Sequence, residues 1–460
     1  MKRSPILPAL VALASTVLLA GCPDDVAPGY RIEKQAVAVR FDGSLVQIQA
    51  DYWLRNTGRD PLDALTISLA SVNSGAASDM RVQMDGKPVD WQPSAHDGER
   101  ALELKFLPAW ARKTRKHLTL EYSFRSGTPQ SNTRQFQLVP GSWSPEFVPP
   151  PGPLAKAAGP QNWELSVTVP AQMLVNAMGK PRGVKRRGSN VEYRFRQDKG
   201  HTFTYIVAGH YTETRIRAGD FTFRFWMQQQ VEPAHMKQIA DRLAQTVRLY
   251  REWLGPLEND AKEFWVVDGT GGRYILGGAR GSRPGLAPNM IVDPGMIIAR
   301  GNAEMICVAD EGLAGMWLHW LSRPEPNADF IAENLAKHFA QSLPHGCGAS
   351  SPGQTTRSAM IAALRRSYAA ADANFRADTG KLKESYRRER EGYRGRLMVL
   401  AMEQQAGAEA LRRSVRRVLQ AMRSDTWGQN ELRSAIEAET GRAWAAFFRD
   451  WNDPEKLPAE

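Results

Sequence analysis

From Tyr30 to about Tyr211 apolar and polar residues alternate with a period of two. The stretch RIEKQAVAVRFDGSLVQIQADYWLRNTG keeps this alternation and breaks it at Asp42-Gly43 and at Asn56-Thr57-Gly58, both turn-forming combinations. ALELKF and HLTLEYSF continue the pattern. After a Pro-rich break at 145–160, NWELSVTVP, VEYRFRQ and HTFTYIVAGHY resume it. Each such segment has one apolar face to bury, which predicts an antiparallel sandwich, or two sheets sharing a saddle-shaped domain, over 30–215. A last strand, FTFRFWMQQQ (221–230), precedes a change of period. Between 232 and 255, Ile239, Leu243, Val247, Leu249 and Trp253 recur at helical spacing, and Gly255 ends the helix. EFWVVDG reads as a short buried strand, and from Asn302 onward helices dominate. The predicted class is α+β, with a β-rich domain over 30–215 and a mainly helical domain over 216–460.

The first 22 residues belong to neither domain. Lys2 and Arg3 precede an apolar run from Ile6 to Ala20, the arrangement of a secretory signal. Leu19-Ala20-Gly21-Cys22 resembles a bacterial lipobox, in which the cysteine is acylated, palmitate included, and becomes the new N-terminus; cleavage near Ala20 without lipid is the alternative. Residues 23–29, rich in Pro and Asp, form a tether. No later run of about 20 apolar residues offers a transmembrane helix. The expectation is a chain held by lipid to a bacterial membrane and facing the periplasm. Pro23 stands where a retention aspartate would be, which favours the outer membrane.

The apolar share of 42% and 13 tryptophans suffice for real cores and exclude a disordered chain. The net charge of +11 concentrates in Arg365-Arg366, Lys381 to Arg396 and Arg412 to Arg423 at helical spacing, which reads as solvated helix faces. An exported lipoprotein has no nucleic acid to bind, so its partners are the membrane and a peptide or envelope protein. Cys307 and Cys347 either pair, in an oxidising compartment, or sit as separate buried thiols. The glycine-rich stretch GTGGRYILGGARGSRPGLAPNMIVD contains neither a strand–GxGxxG–helix unit nor GxxxxGK[ST], so it is no nucleotide cradle.

VADEGLAGMWLHW (308–320) has the apolar frame of a zinc-carrying helix. Such a helix uses His-Glu-x-x-His, whose two imidazoles lie on one face about 6 Å apart along the axis and reach one ion. Asp310-Glu311-Gly312-Leu313-Ala314 occupies those five places. An 18-residue gap from Gly315 to Ala332 then leads to Glu333, in FIAENLAKHFA, where a third ligand from the next helix belongs. Tyr393, in EGYRGRLMVLAMEQQAGAEALRRSVRRVL, stands in a segment like Tyr-x-Lys-Gly, whose tyrosine stabilises an oxyanion. GSWSPEFVP and the tail TWGQNELRSAIEAETGRAWAAFFRDW add to an ordered set. Together these segments resemble the membrane alanyl aminopeptidase (aminopeptidase N) group of gluzincin metallopeptidases over most of the mature chain. The resemblance implies a saddle-like β domain followed by a thermolysin-like domain. It also implies catalytic positions at Glu311 and Tyr393, and metal positions at Asp310, Ala314 and Glu333.

The chain departs from that pattern at the chemistry. Ala314 has no donor atom, and Asp310 is a short, hard replacement for imidazole. A structural zinc site is worth on the order of 10–16 kcal/mol over all its ligands, so losing two removes decades of affinity. His319, His338 and His345 do not replace them: His319 is more than two turns along, His338 points elsewhere, and His345 lies in a loop, each fitting a capped or solvated histidine. GLAPNMI (285–291) keeps only Gly285 and Asn289 of a Gly-x-Met-x-Asn substrate loop. The expected function is therefore that of a lipid-anchored pseudopeptidase that binds or scaffolds peptides, with a degenerate zinc site and no cofactor. One alternative is a hydrolase with a carboxylate site for another cation, built from Asp310, Glu311 and Glu333. The other is a purely structural lipoprotein.

Overall fold

A computed structural model describes residues 29–458 apart from 59, 69–77, 97–98, 126–134, 139–145, 148–161, 178–179, 198–205, 229, 258–261, 269–274, 277–288, 293–302, 322, 325, 345–356, 379–382, 423–425 and 454–456. Cys22 with its lipobox, the tether, Gly285, His345 and Cys347 lie outside the described residues.

The alternating half of the chain folds into strands β1 (Tyr30–Phe41), β2 (Leu45–Asn56), β3 (Leu62–Ser68), β4 (Ser78–Met84), β5 (Lys87–Pro88), β6 (Trp91–His96), β7 (Glu99–Trp110) and β8 (Arg115–Arg125). It continues with β9 (Gln135–Leu138), β10 (Glu146–Phe147), β11 (Asn162–Pro170), β12 (Leu174–Ala177), β13 (Lys180–Arg187), β14 (Asn190–Gln197) and β15 (Ile206–Gly209). An eight-stranded sheet runs β13-β14-β11-β1-β2-β8-β4-β5, beside four-stranded β10-β3-β7-β6 and three-stranded β12-β15-β9. The predicted turn at Asp42 is real: its carboxylate accepts from the Ser44 and Leu45 amides at 3.0 and 2.9 Å, closing the β1–β2 hairpin. The first sheet is not purely antiparallel, because β11 lies parallel to β1, Lys34 against Asn162 through Arg40 against Thr168. More than a hundred residues separate those two strands, enough for the chain to return and re-enter in the same direction. Inward residues of these sheets, Val39, Phe41, Tyr52, Leu104, Trp110 and Phe136 among them, make one core.

A fourth sheet, ordered β16-β17-β18-β20-β19, is built from β16 (Thr212–Ala218), β17 (Phe221–Met227), β18 (Glu263–Asp268), β19 (Ile275–Leu276) and β20 (Asn289–Val292). Because β16 pairs with β17 over Thr212–Ala218, a domain division at 215/216 cuts through a strand, and the change of sheet comes before Thr212. Phe223, Phe225, Phe264 and Val266 on one face of β17 and β18 join the helical core, while Trp226 and Val267 on the other join the β core.

Helix α1 (Pro233–Leu254) crosses from β17 to β18. Its buried stripe is Met236, Ala240, Leu243, Val247, Tyr250 and Leu254: the predicted Leu243 and Val247 lie on it, while the predicted Ile239, Leu249 and Trp253 flank it, partly buried. Gly255 ends the helix at φ 90°, a value that favours glycine. Then follow α2 (Ala303–Gly315), which continues as a π-helical segment Met316–Leu321, α3 (Pro326–Ser342), α4 (Arg357–Ala377), α5 (Lys383–Ala406), α6 (Ala408–Ala421), α7 (Gln429–Thr440) and α8 (Ala445–Asn452). The chain thus has an N-terminal β-rich part and a C-terminal helical part, in the predicted order.

Candidate functional site

Helix α2 carries Asp310, Glu311 and Ala314 across the floor of the helical domain. Asp310 is completely buried. One carboxylate oxygen accepts from Arg242 at 2.9 Å and the other from the Thr246 hydroxyl at 2.7 Å, while the Tyr250 hydroxyl donates to the Asp310 carbonyl at 3.0 Å. Arg242, Thr246 and Tyr250 recur every fourth residue and form one polar line along α1. About two turns beyond Asp310, the Trp317 indole donates to the Gly255 carbonyl at 2.8 Å and completes the seam with α1. Burial pushes the Asp310 carboxyl above its ordinary range, and the Thr246 hydroxyl and the Arg242 guanidinium pull it back. Ala314 is a buried methyl in the apolar core.

Glu311 points to the other side of α2 and is only partly buried. Burial raises its carboxyl, Lys337 and Arg396 lower it, and Glu333 adds to the rise, so α2, α3 and α5 bring these four charges within electrostatic reach. Glu333 itself is exposed, and Lys337, one turn along α3, reaches its Oε1 at 2.6 Å. Arg396 is mostly buried, and burial depresses its guanidinium while Glu311 and Tyr393 support the charge.

Tyr393 lies on α5 and, like Glu311, acts on the Arg396 charge. Its hydroxyl donates to Glu389 on its own helix at 3.2 Å. The glycine that α5 uses against α3 is Gly395, where a Cβ would run into the Asn334 side-chain amide and come within 3.0 Å of Phe330.

His338 is neither capped nor solvated. It is buried on α3, and its Nε2 lies 3.2 Å from Glu403 Oε1 on α5; Arg357 of α4 donates to the other oxygen at 2.6 Å. The basic segments are not simply solvated faces either. Arg394 is buried and donates to the carbonyls of Trp451 at 2.8 Å and of Asp453, and Arg412 lies over the Trp253 ring, 3.9 Å from its centre. Cys307 lies in α2, and Asn289 opens β20 opposite Trp265.

The hydrogen bond from His338, then the charges of His338 and Arg357, outweigh burial and hold Glu403 at about 2, below its ordinary 4.5. A depressed carboxylate contributes stability that is complete above its unfolded value and is lost as pH falls toward the folded one. Glu403→Gln is therefore expected to cost at most about 3 kcal/mol at pH 7 and to flatten the acid loss of stability between roughly pH 4.5 and 2, read by urea unfolding across pH. An unchanged pH profile refutes the role of this cluster.

No family model matches this sequence, and no curated protein matches it. Solved structures do. An M1 zinc metallopeptidase from Deinococcus radiodurans matches with a TM-score of 0.59 at 14% identity, over 94% of this chain and 96% of that one. A glutamate-to-alanine mutant of it bound to a Tyr-Ser-Ala substrate matches with a TM-score of 0.60 at the same identity and coverage. The structural neighbours are M1 zinc metallopeptidases, of the aminopeptidase N family, and this chain shares their peptidase-like, two-domain fold over 94% of its length.

The zinc that this fold family implies does not fit the residues present. Both oxygens of Asp310 are turned to α1, Ala314 presents a buried methyl, and Glu333 is held by Lys337. Among the described residues no group of three His, Cys, Asp or Glu side chains is arranged to hold a metal ion. Sequence reasoning missed Arg242, Lys337 and Arg396. The first had a signal, the four-residue polar repeat on α1. The other two come from helices whose approach no local pattern encodes.

Proposed function

We propose that this chain is a lipid-anchored, envelope-facing pseudopeptidase that binds peptide segments in the cleft where its relatives in fold hold zinc. The observation that carries the reading is Asp310. In the first metal position stands a fully buried carboxylate whose two oxygens serve Arg242 and Thr246. A group so committed supports packing of α1 on α2 and offers nothing to a cation without breaking an ion pair. The same geometry weighs against the carboxylate-metal alternative, which needs Asp310, Glu311 and Glu333 to converge. Glu311 and Arg396, of opposite sign and partly buried, are instead suited to the amine, carbonyl and carboxylate groups of a peptide. A purely structural lipoprotein gains nothing from keeping two such charges half-buried.

Purified protein is expected to hold far less than one equivalent of zinc, manganese, calcium or magnesium by elemental analysis, and to leave aminoacyl reporter substrates uncleaved. Glu311→Gln is expected to change neither and to leave stability nearly unchanged, because the half-buried charge it removes is offset by the support that Arg396 loses. Stoichiometric metal, or turnover that Glu311→Gln abolishes, sinks the pseudopeptidase reading.

A further inference from the structure

A dense positive surface lies at one edge of the eight-stranded sheet. β13 is its terminal strand, and β13 with β14 carries Lys180, Arg182, Lys185, Arg186, Arg187, Arg194 and Arg196 against a single acid, Glu192. Every residue from Pro181 to Ser189 is exposed, as are Arg194 and Arg196. The pairing Lys185 with Glu192 and Arg187 with Asn190 puts Lys185, Arg187, Arg194 and Arg196 on one face. Glu192 lies among them, 2.6 Å from Arg187 and 2.5 Å from Arg194, and offsets one of the seven positive charges. A bulge between Pro181 and Gly183 turns Arg182 out of the ladder.

We propose that this ribbon seats the β domain on the anionic phospholipid surface of the membrane that holds the N-terminal lipid. The inference rests on the lipid-anchor reading. Order in the sheet supplies the distances. β1, which the tether enters at Tyr30, is three strands from β13, through β11 and β14. Three strand spacings are about 14 Å. With β13 lying along the headgroups, β1 runs parallel to the surface at about that height. The seven residues 23–29 span up to about 24 Å, so the tether reaches without strain. Basic residues close to an anionic leaflet are attracted within a Debye length, about 10 Å at ~0.1 M salt. The competing explanation is local: cations on a sheet edge also keep it from pairing with another chain. That role predicts no dependence on lipid charge.

The test uses the full, lipidated chain in vesicles of phosphatidylcholine alone and with about one-third phosphatidylglycerol. Amide hydrogen exchange is read at 182–188. Exchange is expected to slow severalfold on the anionic vesicles and to return to the neutral-vesicle rate at high salt. Neutralising Lys185, Arg186 and Arg187 to Gln is expected to weaken docking by roughly fivefold per residue, ~100-fold in all, and abolish the difference. Lys87→Gln, at the opposite edge of the same sheet, is expected to leave it unchanged. Equal exchange on both vesicle types overturns the proposal. Intact mass reads the anchor separately: a chain without acyl groups at Cys22 refutes the anchor reading, and its charge-dependent or charge-independent sedimentation with the same vesicles then decides the ribbon on its own.

Discussion

Arg242→Ala is expected to be among the most damaging single changes in the helical domain, costing about 3–5 kcal/mol, because it leaves a charge unpaired in a dry site. Asp310 has no exposure at all, whereas 23% of the Arg242 side chain reaches solvent. The two ends of the pair are therefore unequal. Asp310→Ala leaves a guanidinium that turns toward water on a flexible stem, and its expected cost lies at the lower end of that range. Arg242→Ala leaves a carboxylate with one hydroxyl for company, so the cheaper course for Asp310 is to take a proton. Its folded pKa, already raised by burial, then rises further. The sign follows: a carboxyl whose folded value lies above its unfolded one loses stability as pH rises from the unfolded value through the folded one. The Arg242→Ala deficit should thus be smallest near pH 4 and largest above neutrality. Arg242→Met with Asp310→Leu is expected to recover most of the loss, as apolar replacement of a buried pair does. Urea unfolding of the four proteins at two pH values checks this. Equal, small costs for both single variants at all pH values disprove a structural clamp at Asp310.

Two glycines three residues apart on α5 are expected to respond in opposite directions. Gly395→Val forces side-chain atoms into Asn334 and Phe330 where α5 meets α3. Asn334 is almost wholly buried and donates to the Phe330 carbonyl at 2.7 Å, so it has little room to yield. Overpacking of this kind costs typically 1–3 kcal/mol, and separating helices that also carry the Glu403–His338 contact places the expected effect at about 3 kcal/mol. At Gly392 a Cβ meets nothing within 4 Å. Gly392→Ala removes unfolded-state freedom in a helix interior and is expected to stabilise by about 0.5–1 kcal/mol. Thermal melts of the two variants give the order. If Gly395→Val is as stable as the parent, the close α3–α5 approach is wrong.

The pattern of the chain was enough for the architecture. Period two up to Tyr211 and period 3.6 after Glu232 separated the β-rich part from the helical part, because each element needs one apolar face and each period builds only one kind of face. The Gly255 stop and the Asp42-Gly43 turn were equally legible, since both answer to local backbone and side-chain geometry. The spacing from Glu311 to Glu333 placed two acids near one another because a rigid helix and a fixed gap leave few places for the second. The absence of an imidazole at 310 and 314 needed no structure at all.

Other outcomes had no local cause. Which strand β11 joins depends on a return over more than a hundred residues, and that put a parallel pair in a sheet expected to be antiparallel. That Gly395 is the glycine of contact with α3 shows only in how the two helices pack. His338 gained Glu403 and Arg357 from two other helices. Asp310 is the sharpest case: as a letter it was a failed zinc ligand, and in the fold it is the buried half of a clamp to a residue 68 positions earlier. Composition and period are properties of the chain. What a charged side chain does is decided by which charge of opposite sign the fold brings within about 3 Å once water is excluded.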